Sequence, residues 1–112
     1  MSEQTFSEQT FNEVITNYFE KLDLYTTAIT RAHGKNHPEA FEVRELFETI
    51  SGKVKDAGTN KPDLDAEFAQ LRKITDNYTI PGDVCETYAG TFEMLSEVDK
   101  AYQALRNSKT KE

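Results

Sequence analysis

Cysteine, histidine, proline and glycine are scarce in this chain of 112 residues, which has one cysteine, two histidines, three prolines and five glycines. A single cysteine excludes an internal disulfide framework. The sequence also lacks a P-loop, a nucleophile elbow, a dinucleotide-binding fingerprint and an EF-hand loop. The overall composition, 37% hydrophobic and 29% charged, is typical of one soluble domain.

Long apolar runs are also missing. No stretch approaches the roughly 20 residues that cross a membrane as a helix. The opening segment MSEQTFSEQTF has no basic region followed by an apolar one, so it does not have the pattern of a secretory signal. We therefore expect a cytoplasmic protein that does not enter membranes.

Basic side chains are outnumbered by acidic ones, 13 against 20, which gives a net charge of −7. Such a field repels nucleic acid and anionic lipid surfaces. We expect no nucleic-acid or membrane partner, and a basic protein or a cation would be attracted instead.

Four successive segments have apolar residues at steps of three and four, which predicts four amphipathic helices and no strand. Short connections make consecutive helices antiparallel. We therefore expect an all-α, up-down-up-down four-helix bundle at 10–106, between flexible segments at 1–9 and 107–112. The apolar stripes are Phe11, Val14, Ile15, Tyr18, Phe19, Leu22, Tyr25 and Ile29, then Val43, Leu46, Phe47, Ile50 and Val54, then Leu64, Phe68, Leu71, Ile74 and Tyr78, and last Val84, Cys85, Tyr88, Phe92, Leu95, Val98, Tyr102 and Leu105.

Glycine, proline and acidic residues mark the expected helix ends. Gly34 is placed to end the first helix in a left-handed conformation. Pro38 is placed to open the second helix, where its missing N–H does no harm, and Gly58 to end it. Asp83 and Glu86 have the spacing of a capping box at the start of the last helix.

Both histidines, His33 and His37, lie at the corner between the first two predicted helices. Their spacing is that of the His-Glu-x-x-His motif of zinc proteases, but Gly34 and Pro38 break the helix that would present both rings on one face. Neither histidine has an acidic residue three positions earlier, as di-iron bundles require. We expect a structural corner without a cofactor. The alternative is an iron or zinc site at His33 and His37, or a pH-sensitive contact.

Cys85 falls in the first turn of the last predicted helix, near its apolar edge. A helix N-terminus can lower the pKa of a thiol and make it reactive. No histidine is close in sequence, so a buried, small hydrophobic side chain is the favoured interpretation. A redox role for Cys85 belongs to the metal-handling alternative.

Phe41 lies opposite the apolar stripe of the second helix, among Arg44, Glu45 and Glu48. An aromatic side chain there is either packed by the chain end or exposed. An exposed aromatic ring surrounded by charge is a candidate partner contact. We therefore name Phe41, Arg44 and Glu45 as candidate interaction residues.

Two segments, HGKNHPEAFEVRELFETI and LRKITDNYTIPGDVCETY, resemble the hemerythrin-like domain of the iron–sulfur cluster repair di-iron proteins. The similarity extends over about residues 12–107, and it implies a shortened hemerythrin-like bundle. The matching positions are His33, Gly34, Asn36, His37, Pro38, Glu39, Glu42 and Val43 in the first segment, and Tyr78, Thr79, Pro81, Cys85, Thr87 and Tyr88 in the second.

The positions that hold iron in that family carry other residues here. The segment FNEVITNYF has no histidine, and SGKVKDAGTNKPDLD replaces a ligand-bearing turn and the start of the third helix. Leu105 and Lys109 stand at the last two ligand positions. The resemblance therefore implies the fold without the di-iron site, and we expect packing around Leu105 to fill the vacated centre.

These observations predict a non-enzymatic, acidic helical module that binds a protein partner or a second copy of itself, or that acts as a regulator. A homodimer would cover the apolar surface left at one end by the shorter second and third helices. The alternative is a metal-binding, iron–sulfur cluster repair or stress-response protein that uses a non-standard site around His33 and His37. A third hypothesis is a small-molecule pocket at the former metal position.

Overall fold

The structure is a computed structural model that describes the backbone of residues 3–58 and 60–110. It describes the side chains of residues 11–58 and 60–105. Over these residues the chain is helical and contains no strand. None of the helices in this part of the chain combines the length and the apolar character needed to cross a membrane.

The described residues form four helices: α1 (Glu3–His33), α2 (Glu39–Ala57), α3 (Asp65–Ile74) and α4 (Glu86–Thr110). The prediction of an all-α fold with four helices is therefore confirmed. α1 begins before the predicted start at residue 10, and α4 continues past residue 106. Residues 1–2 and 111–112 lie outside the described residues, and the flexibility expected for 1–9 and 107–112 stays a prediction.

The residues of the predicted apolar stripes, except Tyr25 and Cys85, lie in one core or pack against it. α1 packs against α4 and α2, and α2 packs against α3. α3 also contacts α4, where the rings of Phe68 and Tyr102 lie 5.3 Å apart. Leu105 is buried as expected. Each fully buried large apolar side chain contributes about 1.5–3 kcal/mol relative to an exposed one. The largest fully buried residues include Tyr88, Phe68, Phe92, Leu22, Ile29, Ile50, Leu64, Leu71 and Leu95.

Gly34 follows the end of α1 for a reason other than the predicted one. The glycine with a positive φ in the described part of the chain is Gly58, which caps α2 as expected (φ 59°), and Gly34 does not share that conformation. A Cβ atom on Gly34 would lie 2.5 Å from the carbonyl oxygen of Thr30 and 2.7 Å from Cε2 of Phe41. Glycine is therefore required by close packing.

A buried carboxylate joins α3, the turn after it and α4. Arg72 donates a hydrogen bond from Nε to Oδ2 of Asp99 at 2.9 Å. Tyr78 donates from its hydroxyl to the same oxygen at 2.8 Å. Burial, with the nearby Asp99 charge, raises the pKa of Tyr78 well above its ordinary range. Asp76, Asn77 and Tyr78 all have positive φ values (54°, 58° and 63°), so this turn holds three consecutive left-handed residues without glycine.

The last helix starts later than predicted. α4 begins at Glu86, and the N–H of Ala89 donates to the carbonyl oxygen of Cys85 at 3.1 Å. Cys85 therefore precedes the first helical residue, in the N-cap position. The predicted capping box at Asp83 and Glu86 is wrong, because the carboxylate of Asp83 binds His37 instead.

Candidate functional site

The end of α1, the start of α2 and the residues before α4 converge at one place in the fold. Their side chains form a single connected set of contacts around one thiol. We call this set the thiol corner, and its members are His33, His37, Glu39, Asp83, Cys85 and Tyr88.

Cys85 and His33 form the central pair of the thiol corner. The Sγ atom of Cys85 lies 3.3 Å from Nε2 of His33. Cys85 is exposed, so the expectation of a buried, small hydrophobic side chain is wrong. The reason is the later start of α4, which puts Cys85 ahead of the helix instead of on its apolar face.

The surroundings of Cys85 favour its thiolate. The backbone N–H of Tyr88 donates to the sulfur, His33 adds a side-chain hydrogen bond, and the N–H of Thr87 adds another. Partial burial opposes these contacts but is outweighed, and the pKa of the Cys85 thiol falls to about 7. About half of a group with such a pKa is ionised at neutral pH, and the thiolate is the reactive form.

His37 is held from both sides by carboxylates. Its Nδ1 atom lies 3.1 Å from Oε2 of Glu39, and its Nε2 atom lies 2.9 Å from Oδ1 of Asp83. Burial acts to lower the pKa of His37, but the two hydrogen bonds and the two negative charges raise it above its ordinary value. Both nitrogens donate in the protonated ring, so this arrangement favours the cation.

Tyr88 contacts both histidines. Its ring is fully buried, with centroids 5.4 Å from the ring of His33 and 5.6 Å from that of His37. Its hydroxyl donates to Oε2 of Glu39 at 3.1 Å. Burial, with the nearby Glu39 charge, raises the pKa of Tyr88 beyond its ordinary range. The neutral phenol therefore fixes Glu39, which in turn holds His37.

The two histidines do not share a ligand position. Their ring centroids are 6.3 Å apart, and each ring has a different hydrogen-bond partner. A metal ligand must be an unprotonated imidazole, whereas both nitrogens of His37 face carboxylates. Within the described residues, no group of three or more His, Cys, Asp or Glu side chains is arranged to hold a metal ion.

The candidate interaction residues lie on α2, beside the thiol corner. Phe41 is 53% exposed, and its ring edge covers Gly34. Arg44 is tied to α1, since its NH1 group donates to Oδ1 of Asp23 at 2.7 Å. Glu45 is exposed. The structure therefore places Phe41 and Glu45 at the surface, while Arg44 joins two helices.

Sequence reasoning missed Glu39, Asp83 and Tyr88 as site residues and did not pair Cys85 with His33. The sequence does contain a signal for this pairing. Four helices that alternate in direction place the end of the first and the start of the fourth at the same end of a bundle. Residues near positions 33 and 85 are therefore expected to lie close together in space.

No protein-family model matches this chain. No solved structure matches it either. The geometry of the thiol corner therefore carries the functional argument.

Proposed function

We propose that this chain is a small, non-enzymatic regulatory protein whose state is set by reversible chemistry at Cys85. The observation that carries the proposal is the 3.3 Å contact between His33 and an exposed thiol at a helix N-terminus. The neighbouring N–H groups and His33 lower the pKa of this thiol to about 7. Accessible thiols of low pKa, in this kind of surrounding, are the ones that react with oxidants and disulfides.

The chemistry is thiol–disulfide exchange. The Cys85 proton leaves to His33 or to water, and the thiolate attacks one sulfur of a low-molecular-weight disulfide. One S–S bond forms to Cys85 as the original S–S bond breaks, and the released thiolate takes up a proton. Excess thiol reverses the reaction, so the protein returns to its starting state without turning over a substrate.

The resemblance to iron–sulfur cluster repair proteins suggests that this chain shares an ancestor with them. Its two matching segments contact each other at the thiol corner, through His33 with Cys85 and Glu39 with Tyr88. This contact supports their descent as one unit. We propose a shortened hemerythrin-like bundle of up-down-up-down topology, without the di-iron site. A cytoplasmic location fits the proposal, because a reversible thiol switch needs a reducing compartment.

A second candidate function is metal binding at the same pair. Cys Sγ and His Nε2 are both zinc ligands, and the structure holds these atoms of Cys85 and His33 close together. One chain supplies two ligands here, so a tetrahedral site would need the other two from a second copy or a partner. This arrangement replaces the expected pairing of His33 with His37.

The first experiment measures the reaction of Cys85 with 2-hydroxyethyl disulfide at pH 7 by intact-protein mass spectrometry. The chain has one cysteine, so each adduct reports on this site. We expect one adduct, removed by excess thiol. The rate should be about threefold higher than in the denatured chain, because the gain in thiolate outweighs the lower nucleophilicity of a less basic sulfur.

The control is His33→Gln, which should slow the reaction in the native protein but not in the denatured chain. Equal native and denatured rates would overturn the proposal. Metal analysis of the untagged protein separates the two candidates. Stoichiometric zinc or iron that is lost in both His33→Gln and Cys85→Ser would favour the metal-binding function.

A further inference from the structure

A second surface feature lies away from the thiol, along the seam between α1 and α2. It is a solvent-open groove of about 550 Å³. Its floor is apolar and is formed by Ile15, Phe19, Phe47 and Val54. The rings of Phe19 and Phe47 meet edge to face, with centroids 5.3 Å apart. We call this feature the α1–α2 groove.

Gly52 keeps the groove open. It lines the groove within α2, and a Cβ atom built on it would meet nothing within 4 Å. Glycine in a helix interior is unfavourable relative to alanine, and neither packing nor a positive φ requires it here. The fold therefore does not require glycine at residue 52, and its lack of a side chain leaves the groove open.

The rim of the groove is charged, with three carboxylates (Glu20, Asp23 and Glu48) and two cations (Arg44 and Lys55). Arg44 is already neutralised, because it lies 2.7 Å from Oδ1 of Asp23 and 2.8 Å from Oε2 of Glu48. Glu20 and Lys55 have no ion-pair partner among the described residues. The three carboxylates and two cations give the rim a net charge of −1 around an apolar floor.

This charge selects among possible occupants. A second copy would bring the same acidic rim against itself, and each chain carries a net charge of −7. Nucleic acid and anionic membranes are repelled for the same reason. A positively charged group beside a large apolar group complements both the rim and the floor.

We propose that the α1–α2 groove binds a segment of a partner protein that carries a large apolar side chain next to basic residues. The apolar side chain fills the space above Gly52, and a basic neighbour reaches Glu20. Phe41 extends the contact surface, since it lies on the same face of α2 as Glu48 and Gly52 at helical spacing. This proposal does not depend on the reactivity of Cys85, so the two can fail separately.

The test uses a capped nonapeptide of alanine with a central tryptophan flanked by lysines. The protein has no tryptophan, so the probe's fluorescence is free of background. We expect saturable binding. Replacing the lysines with glutamates, or the tryptophan with alanine (followed by NMR), should weaken binding at least tenfold. Absence of binding by the lysine peptide, or equal binding of the glutamate peptide, overturns the proposal.

Matched variants locate the binding site. Gly52→Leu fills the groove and should weaken binding at least tenfold, whereas Thr49→Leu, on the exposed side of the same helix, should not. Glu20→Lys should weaken binding, whereas Glu93→Lys on α4 makes the same charge change elsewhere. Circular dichroism checks that each variant is folded. If Gly52→Leu does not fold, Glu20→Lys still tests where the peptide binds.

Two further outcomes identify a different occupant. Tryptamine that binds as tightly as the peptide would make the groove a small-molecule site and overturn the proposal. A dimer of the wild-type protein that Gly52→Leu dissociates in sedimentation would assign the groove to a second copy, and would also overturn it.

Discussion

The Nε2 atom of His33 lies 3.3 Å from the Sγ atom of Cys85, although 52 positions separate the two residues. His33 ends α1 and Cys85 precedes α4, so the contact joins the ends of two long helices. The pair combines a donor or acceptor ring with a thiol that is half ionised near neutral pH.

The pH dependence of thiol alkylation tests this pair directly. For the wild-type protein, the rate with iodoacetamide should rise with a midpoint near pH 7. In His33→Gln the midpoint should move up, yet stay below the ordinary value of 9.0, because the N–H groups of Tyr88 and Thr87 remain. His37→Gln leaves the thiol contact intact and is the control. An unchanged midpoint in His33→Gln would contradict the structure.

The lowered pKa of the Cys85 thiol also makes the free energy of unfolding depend on pH. The folded-state pKa of Cys85 is below its ordinary value of 9.0, so the folded protein binds its proton less tightly than the unfolded chain. The free energy of unfolding should therefore gain a contribution as pH rises from about 7 to 9, and lose it as pH falls through the folded-state pKa. Cys85→Ser should remove this contribution in urea titrations.

The contribution of His37 to stability changes with pH in the opposite direction to that of Cys85. Its folded-state pKa is raised, so its stabilising contribution is fully present below the ordinary value of 6.5 and is lost as pH rises through the folded-state pKa. NMR titration of the ring should give a midpoint above 6.5. Asp83→Asn should lower that midpoint, because one of the two carboxylates is then neutral. If Asp83→Asn leaves the midpoint unchanged, the contact between Asp83 and His37 is absent in solution.

Two glycine substitutions should act in opposite directions. Gly34→Ala places a Cβ atom 2.5 Å from the carbonyl oxygen of Thr30 and against the ring of Phe41, so it should lower the free energy of unfolding by about 1–3 kcal/mol. Gly52→Ala enters open space within α2 and should raise it by about 0.5–1 kcal/mol. Urea unfolding followed by circular dichroism measures both. Similar free energies of unfolding for the two variants would show that Gly34 is not tightly packed against Thr30 and Phe41.

The buried carboxylate of Asp99 provides the last prediction. Tyr78→Phe removes a hydrogen bond to this carboxylate and should cost about 1.5–3 kcal/mol in urea unfolding. Tyr25→Phe is the matched control, since the hydroxyl of Tyr25 has no partner among the described residues and its loss should fall within about 0.5 kcal/mol. Equal effects would place Tyr78 outside the network.

The helices and their buried faces were predictable from the sequence because both follow from local periodicity. The apolar steps of α2 predicted Val43, Phe47 and Ile50 as buried, and they are. Gly58 ends α2 as expected, whereas the left-handed cap expected at Gly34 is absent. Boundaries decided by tertiary contacts were not predictable in the same way. Asp83 has the spacing of a cap, but it binds a histidine from another helix.

The candidate site depended on distant contacts. The two histidines were expected to form a corner, and they do lie there, but His33 pairs with Cys85 and His37 with Asp83, both far along the chain. A two-residue difference in the start of α4 changed Cys85 from a core residue to an exposed thiol. Helix-end positions are the least certain part of a sequence pattern, and reactive groups often lie there.

The N-cap position of Cys85 links its sulfur to the order of α4. The sulfur accepts the N–H groups of Tyr88 and Thr87, which begin that helix. A sulfur bound in a disulfide is uncharged and accepts only weakly, so it holds these N–H groups less strongly than the thiolate does. Oxidation of one surface atom would therefore let the first turn fray. Tyr88 belongs to that turn, is fully buried and contacts both histidines, so the disturbance would reach the core.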